Sequence, residues 1–456
     1  MKSSRNVDVS SVIDNAKLSP FQLRVFGLLI VVNMLDGYDT QAIAYVAPTI
    51  SSLWRISPAA FGSVFSIGLL GTVIGTITFG MLADRVGRRS LIIASMVIFG
   101  CLTFVSSWST SYPELVIYRF FIGIGLGGAV ANIPSLAAEY APERLRTTVV
   151  TASMCGFPIG AVVGGLFTGP IIEHFGWQGV FRLGAILPLL GVPVLLLLLP
   201  ESVRYMTLSD ERGSRIAKVL RRIDRTRTFS DVDRFYLPEP PVKRGSVVEL
   251  FRNGLGTGTV LLWAALFSSL VLTYFLINWI PLLLQQAGLS VKEAVLGTVT
   301  LNFAGLVGSF FVAISIRRRP LFKLAISYTI GALSVVALGM MPGSFPPIIT
   351  CIFCAGFFVI GAQLAVNAYI TGYYPTAIRA TGMGWAQGVG RSGSLLGPLV
   401  GSYVFTLTDK PSQMFFFSAV PALTAATALL ILRAVVIKKS ETKIISDGKR
   451  KTAIIG

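Results

Sequence analysis

Charge is what this sequence has least of. Only 13% of its 456 residues are charged, where a soluble domain carries about a quarter, so a chain folded wholly in water is excluded. Histidine occurs once, as His174 in a short polar stretch. Histidine proton relays are therefore unavailable, and no Ser/His or metal-ligand constellation points to an enzyme. The four cysteines, Cys101, Cys155, Cys351 and Cys354, all fall in apolar stretches. They lack zinc-site context and sit in no loop where an oxidising compartment would pair them, so they read as small core residues. Acidic residues number 21 against 39 Lys and Arg, a formal net charge of +18, which raises nucleic acid as a partner until the positions of the charges are considered.

Apolar sequence is abundant: 53% of residues are hydrophobic and the mean hydropathy is +0.72. A bilayer-spanning helix needs about 20 apolar residues. Twelve such runs follow one another, at 23–47, 58–82, 90–111, 113–138, 147–172, 180–199, 258–284, 293–316, 321–341, 346–373, 380–407 and 412–436. The first is too long for a cleaved secretory signal, and eleven more follow it. The 46 glycines suit close helix packing in lipid. The fold class expected is an all-α membrane protein of twelve transmembrane helices.

With the N-terminus placed in the cytoplasm, 32 of the 39 basic residues fall in the tails and inner loops or, as Arg24 and Lys323 do, in the first turn of a span beside them, and the outer loops hold only Arg55, Lys292 and Lys410. This is the positive-inside asymmetry. It assigns both termini to the cytoplasm and reads the basicity as topology with attraction to anionic lipid, leaving no role for nucleic acid. The expected organisation is a cytoplasmic tail at 1–22, a six-helix half at 23–200, a cytoplasmic central loop at 201–257, a second six-helix half at 258–437 and a basic tail at 438–456. Within the central loop, Ser209–Arg227 reads as a surface helix and Leu237–Pro241, with three prolines, as an extended linker.

The halves repeat. An offset of 233 residues carries Tyr140, Pro142, Arg146, Thr148, Gly160 and Gly164 onto Tyr373, Pro375, Arg379, Thr381, Gly393 and Gly397, and Arg85 onto Arg318. Parallel six-helix repeats that are pseudo-symmetric about a central cavity describe a rocking transporter.

The loop between the second and third runs reads G-M-L-A-D-R-V-G-R-R, Gly80 to Arg89. It resembles the signature of the major facilitator superfamily. Gly87 permits a tight turn, Asp84 is suited to a helix N-terminus, and Arg85, Arg88 and Arg89 are placed to latch the halves. The second-half counterpart, Arg317 to Pro320, lacks the aspartate. P-E-S-V-R (Pro200–Arg204) and R-F-F-I-G-I-G-L-G-G (Arg119–Gly128) are similar to features shared with sugar porters. The first run carries D-G-Y-D (Asp36–Asp39). With E-Y-A-P-E-R-L-R (Glu139–Arg146) and R-A-T-G-M-G-W-A-Q-G-V-G-R (Arg379–Arg391), it resembles the aromatic acid:proton symporter family of 4-hydroxybenzoate and benzoate-type transporters. The resemblance runs through all twelve spans and leaves out the tails and most of the central loop. It implies the major facilitator fold, import of a benzoate-type anion with protons, no cofactor beyond the proton as coupling ion, and a monomer in a bacterial inner membrane.

Four ionisable side chains sit well inside the spans: Asp36, Asp39, Arg119 and Arg391. Such groups are costly in a membrane and are functional by default. Asp36 and Asp39 share a helix face, and two carboxylates so close do not both ionise easily, which suits a proton carrier. The alternative is that one merely neutralises an arginine or caps a helix broken at Gly37. By the resemblance, Arg119 captures and releases a titrating aspartate; a static ion pair is the plainer alternative. Glu139 is a gate candidate that would pair with Arg146 or Arg379, completing a cytoplasmic set of Asp84, Arg85, Arg88 and Arg89.

Arg391 is the candidate for the substrate carboxylate, since a guanidinium forms two parallel bonds to one. Its repeat counterpart is Pro158, so the scaffold needs no cation there. Trp385 and Tyr38 are candidates to face an aromatic ring, or else core filler. Asn278, next to Trp279, and the pair Gln363 and Asn367, four apart, are candidates to bind ring hydroxyls. The function expected is proton-coupled import of an aromatic carboxylate by alternating access. A symporter of another organic anion or of a sugar, and a membrane sensor of aromatic acids that moves nothing, are the alternatives.

Overall fold

The computed structural model describes residues 5–208, 213–224, 226–230, 233–237, 247–252, 254–315, 319–341, 344–375, 378–407 and 411–455, with side chains described as far as 437 except at 208, 313, 380, 411 and 412. The first long helix shows how the sequence starts a span. Ser19 accepts from the Gln22 backbone N–H and Gln22 Oε1 accepts from the Ser19 N–H at 2.9 Å, with Pro20 at the first helical position. This reciprocal cap satisfies two donors that the first turn leaves orphaned.

In chain order the elements are β1 (Asn6–Asp8), α1 (Val9–Asn15), α2 (Pro20–Trp54), α3 (Phe61–Val86), α4 (Arg88–Ser106), α5 (Tyr112–Tyr140), α6 (Glu143–Leu198), α7 (Val203–Leu208), α8 (Gly213–Ile223) and β2 (Arg234–Tyr236). They continue with α9 (Gly256–Gln286), α10 (Val291–Ser315), α11 (Pro320–Met340), α12 (Phe345–Ala355), a π turn at Gly356–Ile360, α13 (Gly361–Tyr373), α14 (Arg379–Leu407) and α15 (Pro411–Ile455).

Ten of the described helical stretches are long and apolar enough to cross a membrane. Two further facts make the count twelve. The 56 residues of α6 hold two spans, because Gly176 adopts φ 68° and ψ −178° and breaks the helix; glycine alone reaches that conformation cheaply. The other addition is α14, 29 residues long, whose many Gly and Ser residues lower its apolarity without shortening it. The spans are thus α2, α3, α4, α5, the two parts of α6, α9, α10, α11, α12 with α13, α14, and α15.

The chain forms two units, Met1–Val242 and Lys243–Gly456, divided inside the central segment. The tail expected at 1–22 carries α1, whose Val9, Val12 and Ile13 are buried in one apolar cluster with Ile216, Leu220 and Ile223 of α8. β1 pairs in parallel with β2, Asn6 opposite Arg234 and Asp8 opposite Tyr236, so a short two-stranded sheet joins the helices. The surface helix expected over Ser209–Arg227 is the shorter α8. Of the expected linker Leu237–Pro241, only Leu237 lies within the described residues, and Arg317 and Arg318 lie outside them.

The repeat holds at the level of contacts. A Cβ at Gly160 would lie 1.8 Å from the Met34 carbonyl oxygen, and one at Gly393 would lie 2.4 Å from that of Phe267. The offset of 233 carries each member of the first pair onto the second. It likewise carries Gly75 against Ile124 onto Gly308 against Phe357, and Gly123 against Gly68 onto Gly356 against Leu301. The same crossings, spans 1 with 5 and 2 with 4, recur as 7 with 11 and 8 with 10. These positions must stay without a side chain for the backbones to approach.

Candidate functional site

The buried charges that α2 and α5 carry in the first unit lie where four helices meet. Asp36 and Asp39 lie in the middle of α2, 1% and 0% exposed, about 60° apart around the helix. Asp39 Oδ1 accepts from Thr103 Oγ1 of α4 at 2.8 Å. Its Oδ2 lies 3.9 Å from Nη1 of Arg119 on α5, and the same Nη1 donates to the Asp39 backbone carbonyl at 3.3 Å. Arg119 is 4% exposed, and its guanidinium carbon stands 4.6 Å from the Phe181 ring centroid in the second part of α6. Arg119 Nε and Nη2 find no hydrogen-bond partner among the described residues; the electron-rich ring face of Phe181 is what they meet. Asp36 accepts from Thr40 Oγ1, one turn on in its own helix, at 3.4 Å.

Tyr38, between them, is held by packing. A Cβ at Gly164 or Gly184 would lie 1.9 or 2.9 Å from its ring, and its hydroxyl donates to the Val180 carbonyl at 2.8 Å. The ring also faces an apolar cavity of about 580 Å³ shared with Met34, Phe167 and Leu187. Gln41 was not legible as a candidate in the sequence. It is wholly buried, and neither its amide nitrogen nor its oxygen has a hydrogen-bond partner among the described residues. Its one signal is an amide two residues after Asp39 inside a span.

In the second unit, α9, α13 and α14 bring a polar strip together. Gln363 Oε1 accepts from Thr273 Oγ1 at 3.3 Å. Asn367, one turn on, accepts from Gln387 Nε2 at 2.9 Å. Gln387 lies one turn before Arg391 on the same face of α14, and both are half-buried. Arg391 makes no ion pair among the described residues. Gln387 is thus a further candidate beside Asn367, with the spacing Q-x-x-x-R as its signal.

The remaining ring candidates are engaged elsewhere. Trp385, six residues before Arg391, points about 120° away around the helix and stacks on Trp263 with centroids 6.1 Å apart. Asn278 donates to the Tyr274 carbonyl of its own helix at 2.7 Å. Trp279 is fully buried, stacks on Phe275 and Phe405 and donates to the Pro398 carbonyl at 3.2 Å.

The gate set is rearranged from the expectation. Among the described residues, Glu139 does not pair with Arg146. It closes the last turn of α5 against the first residue of α4, so its partner is Arg88, at 2.5 Å, and Ser202 Oγ donates to its other oxygen at 2.5 Å. Arg146, one turn into α6, reaches Asp14 after α1 has docked, at 3.5 Å. Arg88, Glu139, Arg146 and Asp14 line one cavity of about 400 Å³ with Arg204. Asp84 and Arg85 are exposed at the end of α3, and Arg379 donates to the Tyr374 carbonyl at the start of α14.

Asp84 is also not the anion at the α4 N-terminus. Glu201 is: its Oε1 accepts from the Arg89 N–H at 3.0 Å and from the Ser202 N–H at 2.8 Å. The tight turn at Gly87, φ 95°, would put a Cβ 2.5 Å from that carboxylate. Glu201 is therefore a structural residue that the P-E-S-V-R motif announced without revealing its partner.

Known proteins agree with this architecture. The sequence pattern of the Major Facilitator Superfamily matches residues 29–398. The chain is 35% identical over 426 residues to the gallate transporter of Pseudomonas putida, covering 93% of this chain and 94% of that protein. It is 33% identical over 430 residues to the 4-hydroxybenzoate transporter PcaK of Pseudomonas putida, covering 94% and 96%. Among solved structures, the inward-open xylose transporter XylE from E. coli superposes with a TM-score of 0.68 at 18% identity, over 90% of this chain and 95% of that one. At that identity the likeness concerns the fold.

Proposed function

Since the chain belongs to the Major Facilitator Superfamily, we propose that it is a proton-coupled symporter that imports an aromatic carboxylate of the benzoate or hydroxybenzoate class by alternating access. The observation that carries the coupling half of this reading is the buried Asp39–Arg119 pair. Both side chains are buried, so protonating the carboxylate changes the charge of the whole cluster at once. Taking a proton makes Asp39 neutral and leaves Arg119 with the Asp39 carbonyl and the Phe181 ring; losing it restores the pair. Asp36, one turn away, is the second carboxylate of the relay.

The substrate half rests on the polar strip of the second unit and on what the relatives are named for. Arg391 binds the carboxylate, and Gln363, Asn367 and Gln387 offer amides to ring hydroxyls. The relatives named for gallate and 4-hydroxybenzoate support a hydroxylated ring. Moving one carboxylate into a negative compartment works against about 2.3 kcal/mol per charge per 100 mV. One proton cancels that cost and a second makes import electrogenic. The protein then works as a monomer in a bacterial inner membrane with both termini cytoplasmic, a placement of the termini that the positive-inside pattern supports, and the Arg88–Glu139 pair lies at the cytoplasmic end.

The test is uptake of labelled 4-hydroxybenzoate by proteoliposomes under an imposed inward proton gradient. Accumulation that disappears when a protonophore is added is expected, with competition by gallate and benzoate and none by xylose. Uptake that survives collapse of the gradient removes proton coupling from the reading. Competition by xylose alone removes the aromatic acid.

A further inference from the structure

The transport reading leaves one helix without a task. In α8, Ile216, Ala217, Leu220 and Ile223 are buried in the first unit, while Arg215, Lys218 and Arg222 are exposed. The cations are spaced three and four apart, so they form one row along the helix. Arg221 is turned away from that row and donates to the Phe229 carbonyl, its Nε at 2.9 Å.

The row is the wall of a cavity of about 480 Å³ whose other side is the start of α4 and the end of the second part of α6, with Arg89 as a fourth cation. The one carboxylate among its lining residues is that of Glu201, and both its oxygens are already used. Oε1 accepts from the Arg89 and Ser202 N–H groups, and Oε2 accepts from Ser90 Oγ at 3.5 Å. The Arg89 side chain keeps a buried Nε with no hydrogen-bond partner among the described residues. Four cations thus converge with little to balance them.

Val86, Leu199 and Met206 supply the apolar part of the lining. In the turn of α6 just before Leu199, Leu196 and Leu197 are 52% and 83% exposed, a surface that only hydrocarbon solvates well. The site therefore offers cationic groups at the membrane boundary and an apolar slope beside them. Its volume falls in the range of roughly 300–1,000 Å³ that encloses a whole small ligand, so a lone phosphate leaves most of it unfilled.

We propose that this cavity binds a phosphate-bearing anion, with the headgroup of an anionic phospholipid as its source and the acyl chain lying along Leu196 and Leu197. Basic clusters immediately cytoplasmic to a span attract anionic lipid by this means, and here they are shaped into a pocket by the folding of α8 against the first unit. The purified full-length protein in detergent is titrated separately with phosphatidylglycerol, phosphatidylcholine and inorganic phosphate. Bound lipid is read by native mass spectrometry and stability by thermal unfolding.

Phosphatidylglycerol should be retained and raise the unfolding temperature, and phosphatidylcholine should do neither. Each cation at a membrane surface is worth about a fivefold change in affinity. Arg215→Gln/Lys218→Gln/Arg222→Gln should therefore weaken phosphatidylglycerol binding roughly a hundredfold, and the double variant Arg215→Gln/Lys218→Gln about 25-fold. These residues are exposed, and the lipid-free unfolding temperature of the double variant checks that the fold is intact. Equal retention of phosphatidylglycerol by wild type and triple variant overturns the site. So does equal retention of phosphatidylcholine by the wild type. Displacement of phosphatidylglycerol by inorganic phosphate at equal concentration overturns the lipid source and assigns the pocket to a soluble anion.

Discussion

Replacing Asp39 with asparagine removes the counter-charge of Arg119 and little else. Asparagine has nearly the same shape, and its amide oxygen still accepts from Thr103, now 2.8 Å from Asp39 Oδ1. What remains around Arg119 is the backbone carbonyl at 3.3 Å and the Phe181 ring at 4.6 Å. Stripping one partner from a buried pair costs about 3–5 kcal/mol of stability, and the Phe181 contact, present before and after the change, offsets none of it. Arg119→Met should cost less, because a carboxyl left alone becomes neutral by taking a proton whereas a guanidinium cannot lose one. The cycle closes with Asp39→Asn/Arg119→Met, whose loss should fall short of the sum of the singles by at least about 1 kcal/mol. Thermal unfolding in detergent measures stability. Proteoliposome uptake measures coupling: Asp39→Asn should lose gradient-driven accumulation while keeping exchange of labelled for unlabelled substrate. Additive losses across the cycle, together with wild-type accumulation by Asp39→Asn, would refute the reasoning.

Three further outcomes follow from single contacts. Arg391→Lys keeps the charge but loses the planar fork, so KM for 4-hydroxybenzoate should rise about tenfold, the equivalent of one charge-assisted hydrogen bond of about 1.4 kcal/mol, with a smaller change in maximal rate. Gly393→Val places a Cβ 2.4 Å from the Phe267 carbonyl oxygen, and its backbone neighbour cannot yield as a flexible side chain would; the yield of monodisperse protein by gel filtration should collapse. Glu201→Ala strips the acceptor from the Arg89 and Ser202 N–H groups and should lower stability by about 1–2 kcal/mol, the cost of a lost helix cap, read as a lower unfolding temperature.

The spans were legible because a membrane demands long apolar runs, and each run ends where polar loop residues begin. The second part of α6 and α14 were found in the sequence for the same reason, although one is fused to its neighbour across Gly176 and the other is thinned by glycine and serine. The repeat was legible because Gly160 and Gly393 leave no tolerance: backbone meets backbone there, and only glycine fits. Ion-pair partners were not legible. The sequence offers Glu139 two partners, Arg146 or Arg379, and its pairing with Arg88 depends on how the last turn of α5 meets the first residue of α4. The docking of α1, which claims Arg146 for Asp14, depends on a strand pairing across more than 200 residues, Asn6 with Arg234, that no local pattern announces. Rotation around a helix explains Trp385: its place in the motif suggested proximity to Arg391, but six residues carry it to another face.

The repeat also separates what the scaffold needs from what transport needs. Under the offset of 233, Asp39 corresponds to Leu272 and Arg119 to Ile352, both wholly buried, and Thr103 corresponds to Val336. Asp36 corresponds to Ser269, which accepts from Tyr328 at 2.7 Å, a neutral bond in place of a charge. The same crossings of spans 1 with 5 and 2 with 4 therefore form in the second unit without any of these ionisable groups. A buried ion pair exchanged for apolar side chains of similar volume is commonly neutral or stabilising. Asp39→Leu/Arg119→Ile, which writes the second-half residues into the first, should then fold and unfold at or above the wild-type temperature while losing proton-driven accumulation entirely. A variant that fails to fold would make the pair a structural strut and return Asp39 and Arg119 to the static role; one that folds and still accumulates substrate would place the coupling proton elsewhere in the protein.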